Sequence, residues 1–135
     1  MQPDKLTAIE TVELSNGDKL IIRNRGCEYF ILTFRFETSR FKSDTTNLQY
    51  WFTKTGVMMN EVAEGINAPI NIKKGLNFFD DYIEKNRKTE FKEVSLGEEI
   101  DFGGSEIRDY LTVDRISLLS EQRYVIEISF LTGPL

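Results

Sequence analysis

Residues 27–38 read Cys-Glu-Tyr-Phe-Ile-Leu-Thr-Phe-Arg-Phe-Glu-Thr, and this stretch decides the fold class. Successive side chains of a β-strand point to opposite faces, so a period of two in hydrophobicity indicates a strand with one buried face. The residues that share the apolar face are Phe30, Leu32, Phe34 and Phe36, and the more polar face has Tyr29, Ile31, Thr33, Arg35 and Glu37. We therefore predict a strand here that packs against a core.

Further strands are predicted on both sides of this one. Residues 9–14 and 19–24 flank Ser15-Asn16-Gly17-Asp18, in which Asn-Gly is a strong signal for a hairpin turn. Residues 48–53 and 57–62 are predicted as two strands around a turn at Lys54-Thr55-Gly56. The last two strands are predicted at residues 110–119 and 124–131.

One helix is predicted between these groups of strands. Ile72, Leu76, Phe79 and Ile83 are spaced by four, three and four residues, which places them on one helical face. Pro69 suits a first helical turn, although Gly75 weakens the helix by about 1 kcal/mol relative to alanine. The sequence therefore predicts an α+β fold over residues 1–135 as a single domain. It consists mainly of an antiparallel β-sheet, curled or two-layered, with one principal α-helix packed on it.

Composition excludes several classes of enzyme and ligand. The 135 residues include no histidine, which excludes His-dependent catalytic triads and mixed Cys/His zinc sites. They include one cysteine, Cys27, which excludes redox pairs of cysteines and intramolecular disulfides. A net charge of −5 argues against general binding to nucleic acid or to anionic membranes. We expect no catalytic residues, no cofactor and no metal. The N-terminus has no basic region followed by an apolar run, so cytoplasmic localisation is expected.

The acidic charge is concentrated in residues 90–114, which we call the acidic segment. Eight carboxylates oppose only Lys92 and Arg108 there, so the segment carries −6 and the remaining residues sum to +1. Aromatic residues are interleaved with the acids, and such a segment can steer and anchor a basic protein partner. The residues predicted to bind the partner are Glu90, Glu93, Glu98, Glu99, Asp101, Phe102, Glu106, Asp109 and Tyr110.

Other interpretations of the same residues stay open. The acidic segment also suits a solvated loop, and the oxygen ligands and glycines of residues 98–106 suit Ca²⁺ or Mg²⁺, although the EF-hand spacing is missing. Catalysis by a pair of carboxylates, as in glycoside hydrolysis, has candidate residues in Asp80-Asp81 and Glu98-Glu99. A curled sheet with inward aromatic residues can also enclose a small apolar ligand.

In size, acidity, sheet-plus-helix architecture and lack of catalytic groups, the chain resembles the small acidic cytosolic immunity proteins of bacterial toxin systems. The resemblance implies a cognate toxin domain, often a basic nuclease, that is neutralised by occlusion of its active site. The predicted function is therefore a non-enzymatic, immunity-type inhibitor that binds a basic protein through the acidic segment. The alternative is a small-molecule-binding β-barrel or sandwich.

Overall fold

A computed structural model describes residues 7–14, 17–26, 30–65, 72–87, 96–103, 107–120 and 122–134. Their strands form one antiparallel sheet of order β1-β2-β3-β6-β5-β4. Two helices follow β3, which confirms the α+β class and the antiparallel sheet. The elements are β1 (Thr7–Glu13), β2 (Lys19–Gly26), β3 (Phe30–Thr38), α1 (Leu48–Val62), a short 3-10 helix (Ala63–Gly65), α2 (Ile72–Arg87), β4 (Ile100–Asp101), β5 (Ile107–Ser120) and β6 (Arg123–Pro134).

The centre of the sheet is the pairing of β3 with β6. Phe34 lies opposite Ile128 and Phe36 lies opposite Ile126, and all four side chains are fully buried. Directly opposed residues share a face, so the register extends this apolar surface to Leu20 on β2. We call this surface the helix face, because its side chains share one core with those of α1 and α2. The opposite surface, which includes Arg35 and Glu127, is called the open face. The alternation predicted for residues 27–38 is confirmed from Phe30 onward.

The prediction of two strands at residues 48–53 and 57–62 is wrong, because these residues form the single helix α1. Its side chains Trp51, Phe52, Met58 and Met59 are fully buried, and they recur at the spacing of a helical stripe. Asn47 caps the helix, since its side chain accepts a hydrogen bond from the backbone N–H of Tyr50. Residues 54–56, predicted as a turn, lie inside the helix. The sheet is therefore packed against α1 as well as against the predicted helix.

The helix predicted from the stripe at Ile72, Leu76, Phe79 and Ile83 is confirmed as α2, and all four side chains are buried. Gly75 has a specific role in its packing. A Cβ added to Gly75 would lie 2.9 Å from Phe130 Cε2 on β6 and 3.1 Å from the ring of Phe102. Real Cβ atoms essentially never lie within 3.0 Å of another atom, and few lie as close as 3.1 Å. Glycine therefore lets the backbone of α2 rest directly on two aromatic rings, which outweighs its poor helix propensity.

Arg40 connects the β1–β2 hairpin to α1 through ion pairs with the buried Asp18 and the exposed Glu61. The carboxylate of Asp18 is only 1 % exposed, and it accepts hydrogen bonds from Thr38 Oγ1 at 2.7 Å and from Arg40 Nε at 2.8 Å. The same guanidinium donates to both carboxylate oxygens of Glu61, at 2.7 and 3.2 Å. Hydrogen bonds to Glu61 and then to Asp18 raise the pKa of Arg40 further above its usual range. Arg40 thus stays charged, and it bridges the β1–β2 hairpin and α1, which are distant in the sequence.

We predict that Gly75→Ala lowers the free energy of unfolding by about 1–3 kcal/mol, because the added methyl group overpacks the contact with Phe102 and Phe130. Urea unfolding followed by circular dichroism measures this change. Gly65→Ala is the matched control, since nothing lies within 4 Å of its added Cβ. Equal stabilities of the two variants would show that α2 does not press on the sheet at Gly75.

We predict that Arg40→Gln lowers the free energy of unfolding by about 1–3 kcal/mol, because it removes a charged donor to the buried Asp18 carboxylate. Glu61→Gln removes the more exposed partner and should cost less than about 1 kcal/mol. The double variant Asp18→Asn with Arg40→Gln should lose less stability than the sum of the two single variants. Urea unfolding of the wild type, the three single variants and the double variant tests this prediction, and additive losses would contradict it.

Candidate protein-binding site

The described residues of the acidic segment, 96–103 and 107–114, lie at one end of the sheet. β4 pairs with β5, with Ile100 opposite Leu111 and Asp101 opposite Tyr110. Two backbone hydrogen bonds extend this contact beyond β4: Gly97 N donates to Val113 O, and Phe102 N donates to Asp109 O, both at 2.8 Å. Gly97 has φ 78°, a conformation that glycine adopts without strain. Residues 97–102 are therefore held along the edge of β5.

Alternation along residues 99–102, which include β4, separates the core residues from the acids. Ile100 and Phe102 are 7 % and 1 % exposed and belong to the hydrophobic core. Glu99 and Asp101, which alternate with them, are exposed, and Glu98 is half-buried. The carboxylate of Asp101 also accepts a hydrogen bond from the backbone of Gly103 at 3.1 Å. The edge thus presents carboxylates outward while its apolar side chains fix it to the core.

The structure places the predicted partner-binding residues in three groups. Glu98, Glu99 and Asp101 lie on or beside β4, and Asp109 and Tyr110 lie half-buried on the neighbouring β5. Phe102 was expected as an aromatic anchor for the partner, but its side chain is buried, with its ring 6.3 Å from that of Phe130. It anchors the edge strand to the protein's own core instead. The predictions for Glu90, Glu93 and Glu106 fall outside the described residues.

The other candidate carboxylates are separate from this edge. Asp80 and Asp81 are exposed on α2, and Asp80 Oδ1 lies 3.3 Å from where a Cβ of Gly56 would stand on α1. Partial burial, and then the charge of Asp81, raise the pKa of Asp80. Within the described residues, no group of three or more Asp, Glu or Cys side chains is arranged to hold a metal ion. Cys27 lies outside them.

A second charged cluster, which the sequence analysis missed, occupies the centre of the open face. Three guanidinium groups from different strands surround one carboxylate oxygen, Glu127 Oε2 on β6. Arg35 Nη1 lies 3.7 Å from this atom, and Arg23 Nη2 and Arg115 Nη1 each lie 3.9 Å from it. The sequence signal was weak, because the arginines stand singly at outward positions of strands and only the register brings them together.

A β-bulge shapes β5 beside this cluster. The register between β5 and β6 shifts between Val113 and Arg115, which leaves Asp114 as the extra residue. Its carboxylate accepts hydrogen bonds from Thr112 Oγ1 at 2.6 Å and from Ser129 Oγ. Ser129 Oγ in turn lies 2.9 Å from Thr33 Oγ1. This network binds the bulge to β3 and β6, and it fixes the position of Arg115 next to Glu127.

Comparison with protein-family models, with characterised proteins and with solved structures gives no match. None of the helices in the described part of the chain is long and apolar enough to cross a membrane.

We predict that Asp80→Asn changes the pH dependence of stability. The folded pKa of Asp80 is raised above its unfolded value of about 4, so the folded state binds more protons between the two values. The wild-type free energy of unfolding therefore falls as the pH rises through this window, and the asparagine variant lacks that component. The free energies of unfolding in urea are compared at a pH of about 3.5 and near neutrality. Relative to the wild type, the variant should be more stable at the higher pH than at the lower one.

Glu13→Gln is the control for this experiment, because it removes one exposed carboxylate from β1 that the register places on the open face, opposite the helices. A stability difference between Asp80→Asn and the wild type that is the same at both pH values would contradict the prediction.

Proposed function

We propose that the chain is a non-enzymatic protein-binding module that docks on a basic protein through the acidic edge, defined as Glu98, Glu99 and Asp101. The observation that carries this proposal is the alternation along residues 99–102, where Glu99 and Asp101 are exposed and the intervening Ile100 and Phe102 are buried. The chain's lack of histidine further supports a binding role over His-dependent catalysis.

Rigidity of the acidic edge favours binding. A flexible acidic loop loses conformational entropy when it docks, and this loss reduces its affinity. Backbone hydrogen bonds from Gly97 and Phe102 to β5, together with the buried ring of Phe102, already restrict residues 97–102 before a partner arrives. The carboxylates are thus presented on a preorganised strand.

Electrostatics defines the class of partner. Carboxylates clustered at one end of the sheet attract a basic surface over a distance of about one Debye length, roughly 8–10 Å at physiological salt. Such attraction accelerates association and selects against acidic proteins. Within the resemblance to immunity proteins, the partner is a basic toxin domain, such as a nuclease, whose active site the bound chain covers in the bacterial cytoplasm.

We predict that the triple variant Glu98→Gln, Glu99→Gln and Asp101→Asn weakens binding to this partner by about tenfold or more at low salt, because it removes the steering charges. Immobilised wild-type chain is exposed to a lysate of its native cell, and retained proteins are eluted with salt and identified by mass spectrometry. The affinity of the purified partner is then measured for both proteins. If the partner is a nuclease, its activity should fall when wild-type chain is added.

A matched control, Glu10→Gln, Glu13→Gln and Asp81→Asn, makes the same change in net charge on exposed residues away from β4. It should retain the partner. Unchanged affinity of the acidic-edge variant would refute the proposal. Self-association of that variant, with the partner still bound, would show instead that the acids protect a sheet edge from pairing with other chains.

A further inference from the structure

An aromatic side chain stands exposed on α2. Phe78 is 43 % exposed, and among the large apolar side chains exposed in the described part of the chain it is the one aromatic. Single exposed apolar residues are common on protein surfaces, but interfaces combine aromatic side chains with a polar rim. The packing of α2 shows whether Phe78 borders the acidic edge.

Contacts of Gly75 show which flank of α2 faces β4. A Cβ added to Gly75 would lie 3.1 Å from the ring of Phe102, the residue that follows β4. Residues three apart on a helix are neighbours on its surface, so Phe78 lies on the same flank as Gly75. Asp80 lies on the opposite flank, beside Gly56 of α1. Phe78 therefore projects from α2 on the side of β4 and away from α1.

The direction of α2 over the sheet follows from contacts at its two ends. Gly75, near the start of α2, lies over Phe130 of β6. Near the other end, the carbonyl of Ile83 accepts a hydrogen bond from the first turn of α1 at 3.4 Å. Trp51 in that turn packs on Tyr124 of β6, with their ring centroids 4.6 Å apart. Along β6, α2 therefore runs from Phe130 toward Tyr124.

This direction places Phe78 level with the acidic edge. The path from Phe102 back to Gly97 runs the same way as α2, because both follow β5 from its beginning toward its end. Three helical residues rise about 4.5 Å, whereas one strand residue covers about 3.3 Å. Phe78 is therefore one to two strand residues beyond Phe102, level with Asp101.

Leu96 borders the other end of the acidic edge. It is 42 % exposed, and it directly precedes Gly97, which is hydrogen-bonded to β5. Exposed apolar side chains thus flank the three carboxylates at both ends. The exposed residues Lys74 and Asp81, four before and three after Phe78 on α2, carry opposite charges. The net charge beside Phe78 therefore comes from the acidic edge.

We propose that Phe78 and Leu96 are the apolar anchors of the acidic edge, and that the basic protein bound there presents apolar side chains among its cations. This inference rests on the proposed function and extends it. Charges steer a partner, whereas a few apolar anchors surrounded by polar residues supply most of the binding energy. Phe102 is buried and cannot make such a contact, but Phe78 and Leu96 are accessible.

The test compares two labelled lysine peptides of equal length and charge, one with a central leucine pair and the other with a central serine pair. Fluorescence anisotropy at low salt measures their affinities for the purified chain. The wild type should bind the leucine peptide about tenfold more tightly than the serine peptide. Phe78→Gln with Leu96→Gln should lose most of this preference and keep the wild-type affinity for the serine peptide, since its net charge is unchanged.

Two controls assign the preference to these side chains. Val57 is 42 % exposed on α1, so Val57→Gln removes a comparably exposed apolar group elsewhere and should keep the preference. The acidic-edge triple variant should bind both peptides more weakly. Circular dichroism checks that each variant folds, and Phe78→Gln alone replaces the double variant if that one does not.

The outcomes separate this inference from the proposed function. Equal affinity of the wild type for the two peptides, or an unchanged preference after Phe78→Gln with Leu96→Gln, would overturn the inference and leave the acidic edge as a binding site. If the wild type binds neither peptide, or if the acidic-edge triple variant binds both as the wild type does, the proposed function fails and the inference fails with it.

Discussion

The contact of α2 with the sheet at Gly75 is the constraint on which the other features depend. The absence of a side chain lets the helix backbone lie against Phe130, at the centre of β6, and against Phe102, beyond β4. One contact therefore fixes the height of the helix above the sheet and also holds the last strand in place. The acidic edge is rigid because Phe102 is part of this contact.

The scaffold separates charges of opposite sign in a chain whose net charge alone suggests uniform acidity. Carboxylates lie at the β4 end of the sheet, whereas arginines gather over β2, β3 and β5 on the open face. Strand alternation produces both arrangements, since each buried apolar residue is followed by an outward position that is open to polar side chains. Burial of the core thus determines where the charged surfaces lie.

Sequence patterns predicted β3, β6 and α2 because each has one clean apolar period over its length. They failed for α1, because Leu48, Tyr50 and Phe52 alternate as in a strand and Lys54-Thr55-Gly56 suggests a turn. The helical spacing of the buried residues Phe52, Thr55 and Met59 was the better signal. The acidic segment was found because its charges are contiguous. Phe102 was assigned to the surface because its neighbours are acidic, and the arginine cluster was missed because its members meet only through strand pairing.

The strand order divides the chain into two consecutive halves. The first supplies β1, β2, β3 and α1, and the second supplies α2, β4, β5 and β6. Strand pairings within each half join neighbours in sequence, and only the seam between β3 and β6 joins the halves; Thr33 and Ser129, which meet there, are 96 positions apart. Loop-closure entropy is greatest for that seam. Formation of the β3–β6 seam is therefore the entropically costly step in folding, since each half needs only local turns to assemble its own three strands.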